Sequence, residues 1–263
     1  MEKLAGLEYE VRGNGEPVLL IHGSHVADGF LPLAKEPALA DEYRVIRYHR
    51  RGFAGSDRHI GPFGIEDQGR DALALLRALD VDRAHVVGHS YGAVTALELA
   101  SAEPSVVHSL VLLEPPVTTE PLGDGADAFE PLMAMYASGD AKGAVDAFMT
   151  FVGGPDWKAE VSRVIPGGPE QAEADAATFF EIEMPGLGPW TLDPDKTSRV
   201  AQPALFVLGT ESGPLFESAQ QAFQKAFADA EIAMLPGLNH LLQMRNPLQV
   251  AEPIADFLRR HPM

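Results

Sequence analysis

The segment Gly88-His89-Ser90-Tyr91-Gly92 decides the fold of this chain, because a strand pattern precedes it and a helix pattern follows it. The apolar run at residues 84–87 predicts a buried strand, and residues 93–100 carry apolar side chains at helical spacing. A strand that turns directly into a helix brings backbone segments so close that glycine is needed on both sides of the serine. The same turn strains the serine and exposes its hydroxyl. The segment therefore predicts a nucleophile at Ser90.

Apolar runs alternate with helical patterns along most of the rest of the chain. Strands are predicted at residues 18–21, 43–48, 84–87, 107–113, 204–208 and 232–235, and helices at 65–80, 93–100 and from Pro247 onward. This alternation predicts an α/β fold with a mostly parallel, doubly wound sheet that is covered by helices on both faces.

The alternation stops between residues 115 and 200, where no strand pattern occurs. Four helical segments are predicted there, at 126–138, 140–152, 156–165 and 169–184, separated by clusters of glycine and proline. We therefore expect a core made of residues 1–114 and 201–263, with residues 115–200 inserted as a helical cap.

The composition excludes several classes of function. With 20 basic and 38 acidic residues the net charge is −18, which disfavours binding to nucleic acids or anionic membranes. No apolar run approaches the length of a membrane span, and the first residues do not form a signal-peptide pattern. The chain contains no cysteine, which excludes disulfides and thiol nucleophiles. We expect a cytoplasmic monomer or homodimer that acts on a small molecule.

A histidine suited to act as a general base follows the last predicted strand. His240 comes after a Pro236-Gly237 turn, in a loop at the end of residues 232–235. A neutral imidazole can accept the proton of a serine hydroxyl and return it to a leaving group. We therefore predict that His240 is the base that serves Ser90.

Two other patterns carry less information. His22 and His25 have the spacing of a metal pair, but no helix or neighbouring carboxylate supports a metal site, so no metal is expected. Gly13-Asn14-Gly15 predicts a hairpin-type turn and lacks the pattern of a phosphate-binding loop. No cofactor is predicted.

With Ser90 and His240 in these positions, the chain resembles the α/β-hydrolase family over essentially its full length. His22-Gly23 is similar to the family's oxyanion loop, and residues 48–56 are similar to its D-x-R-G-x-G-x-S segment, with His49 in place of the usual Asp. Leu235-Pro236-Gly237-Leu238-Asn239-His240 looks like the loop of its catalytic histidine. The resemblance implies an oxyanion hole formed by the backbone N–H groups of Ser24 and Tyr91.

The acid that would orient His240 has two candidates. The family most often places an Asp after the strand at 204–208, where this sequence has Ser212, with Glu211 one residue earlier. Glu114 instead ends the strand at 107–113, and Pro115 predicts an extended backbone for it. Some relatives, including zearalenone-type lactonases, carry their acid at this position. We favour Glu114 and keep Glu211 as the alternative.

Five residues are predicted to contact the substrate: His25, Phe30, Phe179, Met184 and Trp190. Because they are mostly apolar, we expect a serine hydrolase that cleaves a small to medium, mostly apolar ester or lactone through an acyl-enzyme. For the cap aromatics, simple packing in the cap core is an equally good role. A carbon–carbon bond-cleaving or non-hydrolytic member of the fold, or a ligand-binding receptor on a hydrolase scaffold, is the alternative.

Overall fold

The computed structural model describes residues 1–58, 61, 63–117 and 129–263. Within these residues the chain forms one eight-stranded sheet. Its strands are β1 (Glu2–Leu4), β2 (Leu7–Arg12), β3 (Pro17–Ile21), β4 (Arg44–Tyr48), β5 (Ala84–His89), β6 (Val107–Leu113), β7 (Ala204–Gly209) and β8 (Glu231–Leu235). They lie side by side in the order β1-β2-β4-β3-β5-β6-β7-β8.

Helices connect and cover these strands. They are α1 (Pro37–Ala40), α2 (Ile65–Ala78), α3 (Tyr91–Ala102), α4 (Glu130–Ala137), α5 (Ala141–Gly153), α6 (Trp157–Val164), α7 (Gly168–Ala174), α8 (Met184–Leu187), α9 (Pro194–Arg199), α10 (Pro214–Ala226), α11 (Leu242–Arg245) and α12 (Pro247–Arg260), with a 3₁₀ turn at Leu33–Lys35 and a π-helical segment at Thr178–Glu183. None of the helices in the described ranges is long and apolar enough to cross a bilayer.

The six strands β3 to β8 are parallel to one another, and β1 and β2 are added antiparallel at the edge formed by β4. The six predicted strands correspond to β3 through β8, whereas β1 and β2 have no counterpart in the prediction. The mostly parallel sheet with helices on both faces and further helices inserted between β6 and β7 confirms the predicted fold class.

Strand pairing corrects one prediction. Gly13 and Gly15 have φ values of +74° and +113°, so the chain does turn between β2 and β3. These two strands are not partners, however, because β2 pairs with β4 and β4 lies between them. The turn therefore crosses over β4 and is not a hairpin.

The continuous apolar runs are explained by burial on both faces of the sheet. Along β3, Val18 and Leu20 face the core beneath α1 and α12, while Leu19 and Ile21 face the core that contains α2, α3 and α10. Neighbouring side chains on a strand point to opposite faces, so both sets must be apolar when both faces are covered.

The inserted part of the chain contains α4 through α9 and the π-helical segment, all between β6 and β7. Each predicted helical segment contains helix, although residues 118–128 of the predicted cap lie outside the described residues. The boundaries 115–200 stay a prediction.

The turn between β5 and α3, which carries the predicted nucleophile, packs closely against neighbouring backbone. Ser90 has φ +54° and ψ −124°. A Cβ atom on Gly92 would lie 2.2 Å from the Ile21 carbonyl oxygen, and one on Gly88 would lie 2.5 Å from the Ala93 Cα. Both glycines are therefore required by contact with backbone, which cannot move aside as a flexible side chain can.

This contact predicts that Gly92→Ala is strongly destabilising. We expect a loss of about 1–3 kcal/mol or more in the free energy of unfolding, measured by urea denaturation, because β3 and α3 must separate to admit the methyl group. Gly69→Ala is the matched control, since Gly69 lies inside α2 and its added Cβ would be no closer than 3.6 Å to other atoms. Equal stability of the two variants would contradict this account of the turn.

Candidate active site

Ser90 lies where β5, α3 and the end of β6 meet. Its backbone N–H donates to the Leu113 carbonyl oxygen at 2.8 Å, and its own carbonyl accepts from Ala93 N–H at 2.9 Å. The residue is partly exposed and borders a cavity of about 680 Å³. The strained turn thus presents the hydroxyl to a space large enough for a small organic molecule.

His240 and Glu114 form a buried hydrogen-bonded pair. The ring Nδ1–H donates to Glu114 Oε2 at 2.6 Å, and the two side chains are 4% and 0% exposed. The other carboxylate oxygen, Oε1, accepts from Gly209 N–H at 2.7 Å and from the Ser212 hydroxyl at 2.5 Å. Three donors therefore replace the water that a buried carboxylate loses. This arrangement can fix the tautomer of His240 with Nε2 free to accept a proton.

The backbone of Glu114 differs from the prediction. Its φ is +48°, which is not the extended conformation expected before Pro115. The Glu114 N–H still pairs with the Val207 carbonyl at 3.2 Å, so the chain leaves the sheet only after this bond. The turn lets the side chain reach the loop after β7 and the ring of His240.

Glu211 is not brought to His240. Its side chain is 61% exposed and lies 4.0 Å from the Arg245 guanidinium at the surface. Ser212 occupies the place where the family usually has its Asp, and it donates to Glu114 from there.

The ring and backbone of His240 are held from two further sides. The Phe216 ring stacks on it with centroids 4.0 Å apart and planes inclined by 13°. His89 Nε2–H donates to the His240 carbonyl at 2.9 Å, and Gln243 donates to His89 Nδ1 at 3.1 Å. Burial, followed by the nearby His240, lowers the pKa of His89 well below its usual value, so His89 is a neutral orienting residue.

The loop after β3 lies directly against Ser90. A Cβ on Gly23 would lie 2.7 Å from His89 Nδ1 and 3.1 Å from the Ser90 Cβ, so a larger residue would displace the buried His89 ring. His22 donates from Nδ1–H to the Gly23 carbonyl at 2.6 Å and accepts at Nε2 from Arg50 N–H at 2.8 Å. Burial lowers the pKa of His22 well below its usual value, and the Arg50 charge lowers it further.

Ser24 and Tyr91, whose N–H groups are the predicted oxyanion hole, both border the 680 Å³ cavity beside Ser90. The first N–H groups of a helix have no intrahelical acceptor, so the one on Tyr91 at the start of α3 can serve a ligand. Among the described residues, no cluster of three or more His, Asp or Glu side chains is placed to hold a metal ion.

Two of the five predicted substrate contacts line the cavity, namely Phe179 and Met184. His25, Phe30 and Trp190 do not border it in this structure. His25 packs against Phe179 with ring centroids 4.2 Å apart, and burial lowers its pKa to about 3. Phe30 belongs to the core beneath the sheet, where the nearby segment Leu33–Lys35 also packs.

Trp190 packs inward because its indole has a polar partner there. Its Nε1–H donates to Glu98 Oε2 at 3.1 Å, and the Lys196 ammonium lies 5.0 Å from the ring centroid. The rest of the cavity wall is mostly apolar and includes Val117, Met133, Phe148, Val152, Leu187 and Leu215.

Two features of the site had no signal in the sequence. Phe216 is an ordinary apolar residue near the start of α10, and only the fold brings it onto His240. Arg50 and Glu183 form a buried ion pair next to Ser24, although 133 residues separate them in the chain. Charged residues are rarely buried, so nothing in the sequence marks this pair as part of the interior.

Known proteins resemble this chain in sequence and in fold. The sequence model of a family described as "Alpha/beta hydrolase family" matches residues 18–252. The chain is 34% identical over 176 residues to a protein of Azorhizobium caulinodans named as a carbamate hydrolase, RutD. That alignment covers 67% of this chain and 64% of the relative, which is just under two thirds of its length.

A protein of Variovorax paradoxus with the same name is 26% identical over 259 residues, covering 97% of this chain and 96% of that protein. Among solved structures, the enol-lactonase from Burkholderia xenovorans LB400 superposes with a TM-score of 0.79 and 20% identity over 96% of both chains. At this identity the likeness shows a shared fold.

Proposed function

Because the chain belongs to the alpha/beta hydrolase family, we propose that it hydrolyses a small to medium, mostly apolar ester or lactone through an acyl-enzyme on Ser90. The observation that carries the proposal is the buried 2.6 Å hydrogen bond between His240 and Glu114, which lies beside a strained serine at the wall of a large cavity. A nucleophile, a base and a group that orients the base are the three parts this chemistry needs.

In the first half of the reaction, Ser90 Oγ attacks the carbonyl carbon of the substrate and its proton passes to His240 Nε2. The imidazolium that forms keeps its Nδ1–H on Glu114, whose negative charge stabilises it. The carbonyl oxygen becomes an oxyanion, which the N–H groups of Tyr91 and Ser24 receive. His240 then returns the proton to the departing alcohol oxygen, which in a lactone stays tethered to the acyl group.

The second half of the reaction needs a water molecule next to His240. A small cavity of about 20 Å³ is bordered by Ser24, Ser90 and His240. One water molecule needs roughly 10–15 Å³ of such space. Water in this position would be deprotonated by His240 and would attack the acyl carbon, which releases the acid and restores Ser90.

The cavity favours an apolar acyl or alcohol group over a very small polar substrate. Its volume is about 680 Å³, and its wall is built mainly from aliphatic, aromatic and methionine side chains. The names of two relatives, a carbamate hydrolase and an enol-lactonase, describe hydrolysis at an acyl carbonyl, which is also the site of the proposed reaction. Within that shared chemistry, the apolar wall is the reason to propose an ester or lactone here.

The proposal is tested by changing Ser90. We expect Ser90→Ala to lower kcat by about three orders of magnitude or more on p-nitrophenyl esters and lactones, with an unchanged unfolding midpoint. A fluorophosphonate should label Ser90 stoichiometrically in the unaltered protein. Labelling at another residue would refute the nucleophile. Saturable ligand binding without turnover on any member of the panel would favour the receptor alternative.

Glu114 and Glu211 provide a matched pair of carboxylates. We expect Glu114→Gln to lower kcat by a few orders of magnitude, because the amide disfavours the His240 tautomer and does not stabilise the imidazolium. Glu211→Gln should change kcat little, since that side chain lies at the surface. Proton NMR gives a second readout: a far-downfield Nδ1–H signal should disappear in Glu114→Gln only. The reverse pattern would sink the assignment of the acid.

The cavity wall predicts which aromatic residues set substrate preference. Phe179→Ala removes a ring from the cavity wall and so enlarges the cavity. It should raise kcat/KM for esters with bulky acyl groups relative to acetyl esters. Trp190→Phe should leave this ranking unchanged, because Trp190 is bonded to Glu98 away from the cavity. The measurement is kcat/KM over a series of p-nitrophenyl esters of increasing acyl length. A change of ranking in the Trp190 variant alone would show that the wall is assigned wrongly.

A further inference from the structure

A buried polar cluster lies behind the loop that carries Ser24. Arg50 and Glu183 are 1% and 0% exposed, and Gln68 beside them is also buried. The Arg50 guanidinium donates from one nitrogen to both Glu183 Oε1 and Gln68 Oε1. The proposed reaction uses none of these three side chains directly, so the cluster calls for its own explanation.

Arg50 holds the loop at two successive carbonyl groups. Its Nε–H donates to the His22 carbonyl at 2.8 Å, and its Nη2 donates to the Gly23 carbonyl at 2.9 Å. In a planar trans peptide the C=O and N–H groups point in opposite directions. The Ser24 N–H shares its peptide with the Gly23 carbonyl, so it points away from Arg50.

Glu183 reaches Arg50 from the inserted helices. It ends the π-helical segment Thr178–Glu183 and also borders the 680 Å³ cavity next to Ser24. Burial raises the pKa of Glu183 above its usual value, although the Arg50 charge and the Ser24 hydroxyl act to lower it. A buried guanidinium without a carboxylate partner is strongly unfavourable, so Glu183 fixes where Arg50 can lie.

We propose that Glu183 is a positioning residue for the oxyanion hole, and that it acts through Arg50 to aim the Ser24 N–H at the carbonyl oxygen of the substrate. The inference rests on the proposed function, since it concerns the oxyanion of that reaction. On this proposal, the oxyanion hole depends on two parts of the chain. The core supplies the N–H group, and the inserted helices supply the charge that orients it.

The alternative role of the Arg50–Glu183 pair is only to attach the inserted helices to the core. A second ion pair in the chain serves as a control for that role. Asp175 is likewise 0% exposed, comes from the same inserted region and pairs with Arg58 of the core at 2.6 Å. It also accepts from Ala54 N–H at 2.9 Å, and it has no bond to the loop at 22–24 among those found in the described residues. The Arg58 side chain is 52% exposed, so Asp175→Asn reports the effect of losing an attachment between the inserted region and the core, with no bond to the loop at 22–24 involved.

The experiment compares Glu183→Gln with Asp175→Asn on an ester and on the matching thionoester. The sulfur of a thiocarbonyl accepts hydrogen bonds poorly, so a thionoester gains little from an oxyanion hole. We expect Glu183→Gln to lower kcat for the ester by about 10- to 100-fold, less than full loss of an oxyanion donor, with little change in KM. The thionoester rate should fall much less, and Asp175→Asn should leave the ester-to-thionoester ratio unchanged.

Two further measurements make the outcome specific. Affinity for a trifluoromethyl ketone, which forms an oxyanion on the serine, should fall by the same factor as kcat in Glu183→Gln. Arg50→Lys keeps the positive charge but loses the planar fork that donates to both the His22 and Gly23 carbonyls. It should therefore reproduce the selective loss of ester hydrolysis. In the double variant Glu183→Gln/Arg50→Lys, kcat for the ester should fall by no more than about the larger of the two single effects, because both changes act on one network.

Equal losses on ester and thionoester, or no loss at all, would overturn the inference and leave the proposed function standing. The proposed function itself fails if the unaltered protein neither cleaves the ester nor binds the ketone at Ser90. In that case the positioning role for Glu183 falls with it.

Discussion

The contact between Gly92 and the carbonyl groups at the end of β3 is the constraint on which the site depends. With no Cβ at Gly92, the start of α3 approaches the Ile21 carbonyl, and the loop after β3 comes to rest against Ser90. This approach brings Ser24 and Tyr91 to the wall of the same cavity as Ser90. A single methyl group would separate the two elements, so close packing of the sheet and the chemistry of the site depend on the same contact.

A buried carboxylate needs a full set of donors, and this requirement explains the surroundings of Glu114. Its two oxygens receive bonds from His240, from the backbone of Gly209 and from the hydroxyl of Ser212. The loop after β7 thus supplies donors, although its position is the one where relatives commonly carry the acid. An acidic side chain at residue 212 would place a second negative charge beside Glu114, and like charges at this distance in a buried site cannot both stay ionised. A neutral Ser212 is therefore the partner that an acid directly after β6 requires.

Most of the fold and the local motifs could be predicted from the sequence, because they depend on neighbouring residues. The turn at Ser90 and the strands β3 to β8 have short-range patterns, and Glu114 directly ends an apolar strand. Apolar character alone does not separate a cavity wall from a core, which is why the sequence predicts substrate contacts at Phe30 and Trp190 although neither borders the cavity. The positive φ of Glu114 and the pairing of Arg50 with Glu183 depend on segments far apart in the chain, and no local pattern reports them.

The two buried carboxylates of the site solve the same electrostatic problem in different ways, and the difference fits their positions. Glu114 is surrounded by neutral donors and by the His240 imidazole, so in the proposed reaction its negative charge stabilises the proton that His240 receives. Glu183 is matched by a permanent cation, Arg50, so its charge is already compensated before any reaction. Apolar side chains could hold the inserted helices on the core equally well. They could not orient the His22 and Gly23 carbonyl groups, whereas the fixed fork of the Arg50 guanidinium does so. A buried guanidinium in turn needs a carboxylate partner, which Glu183 provides.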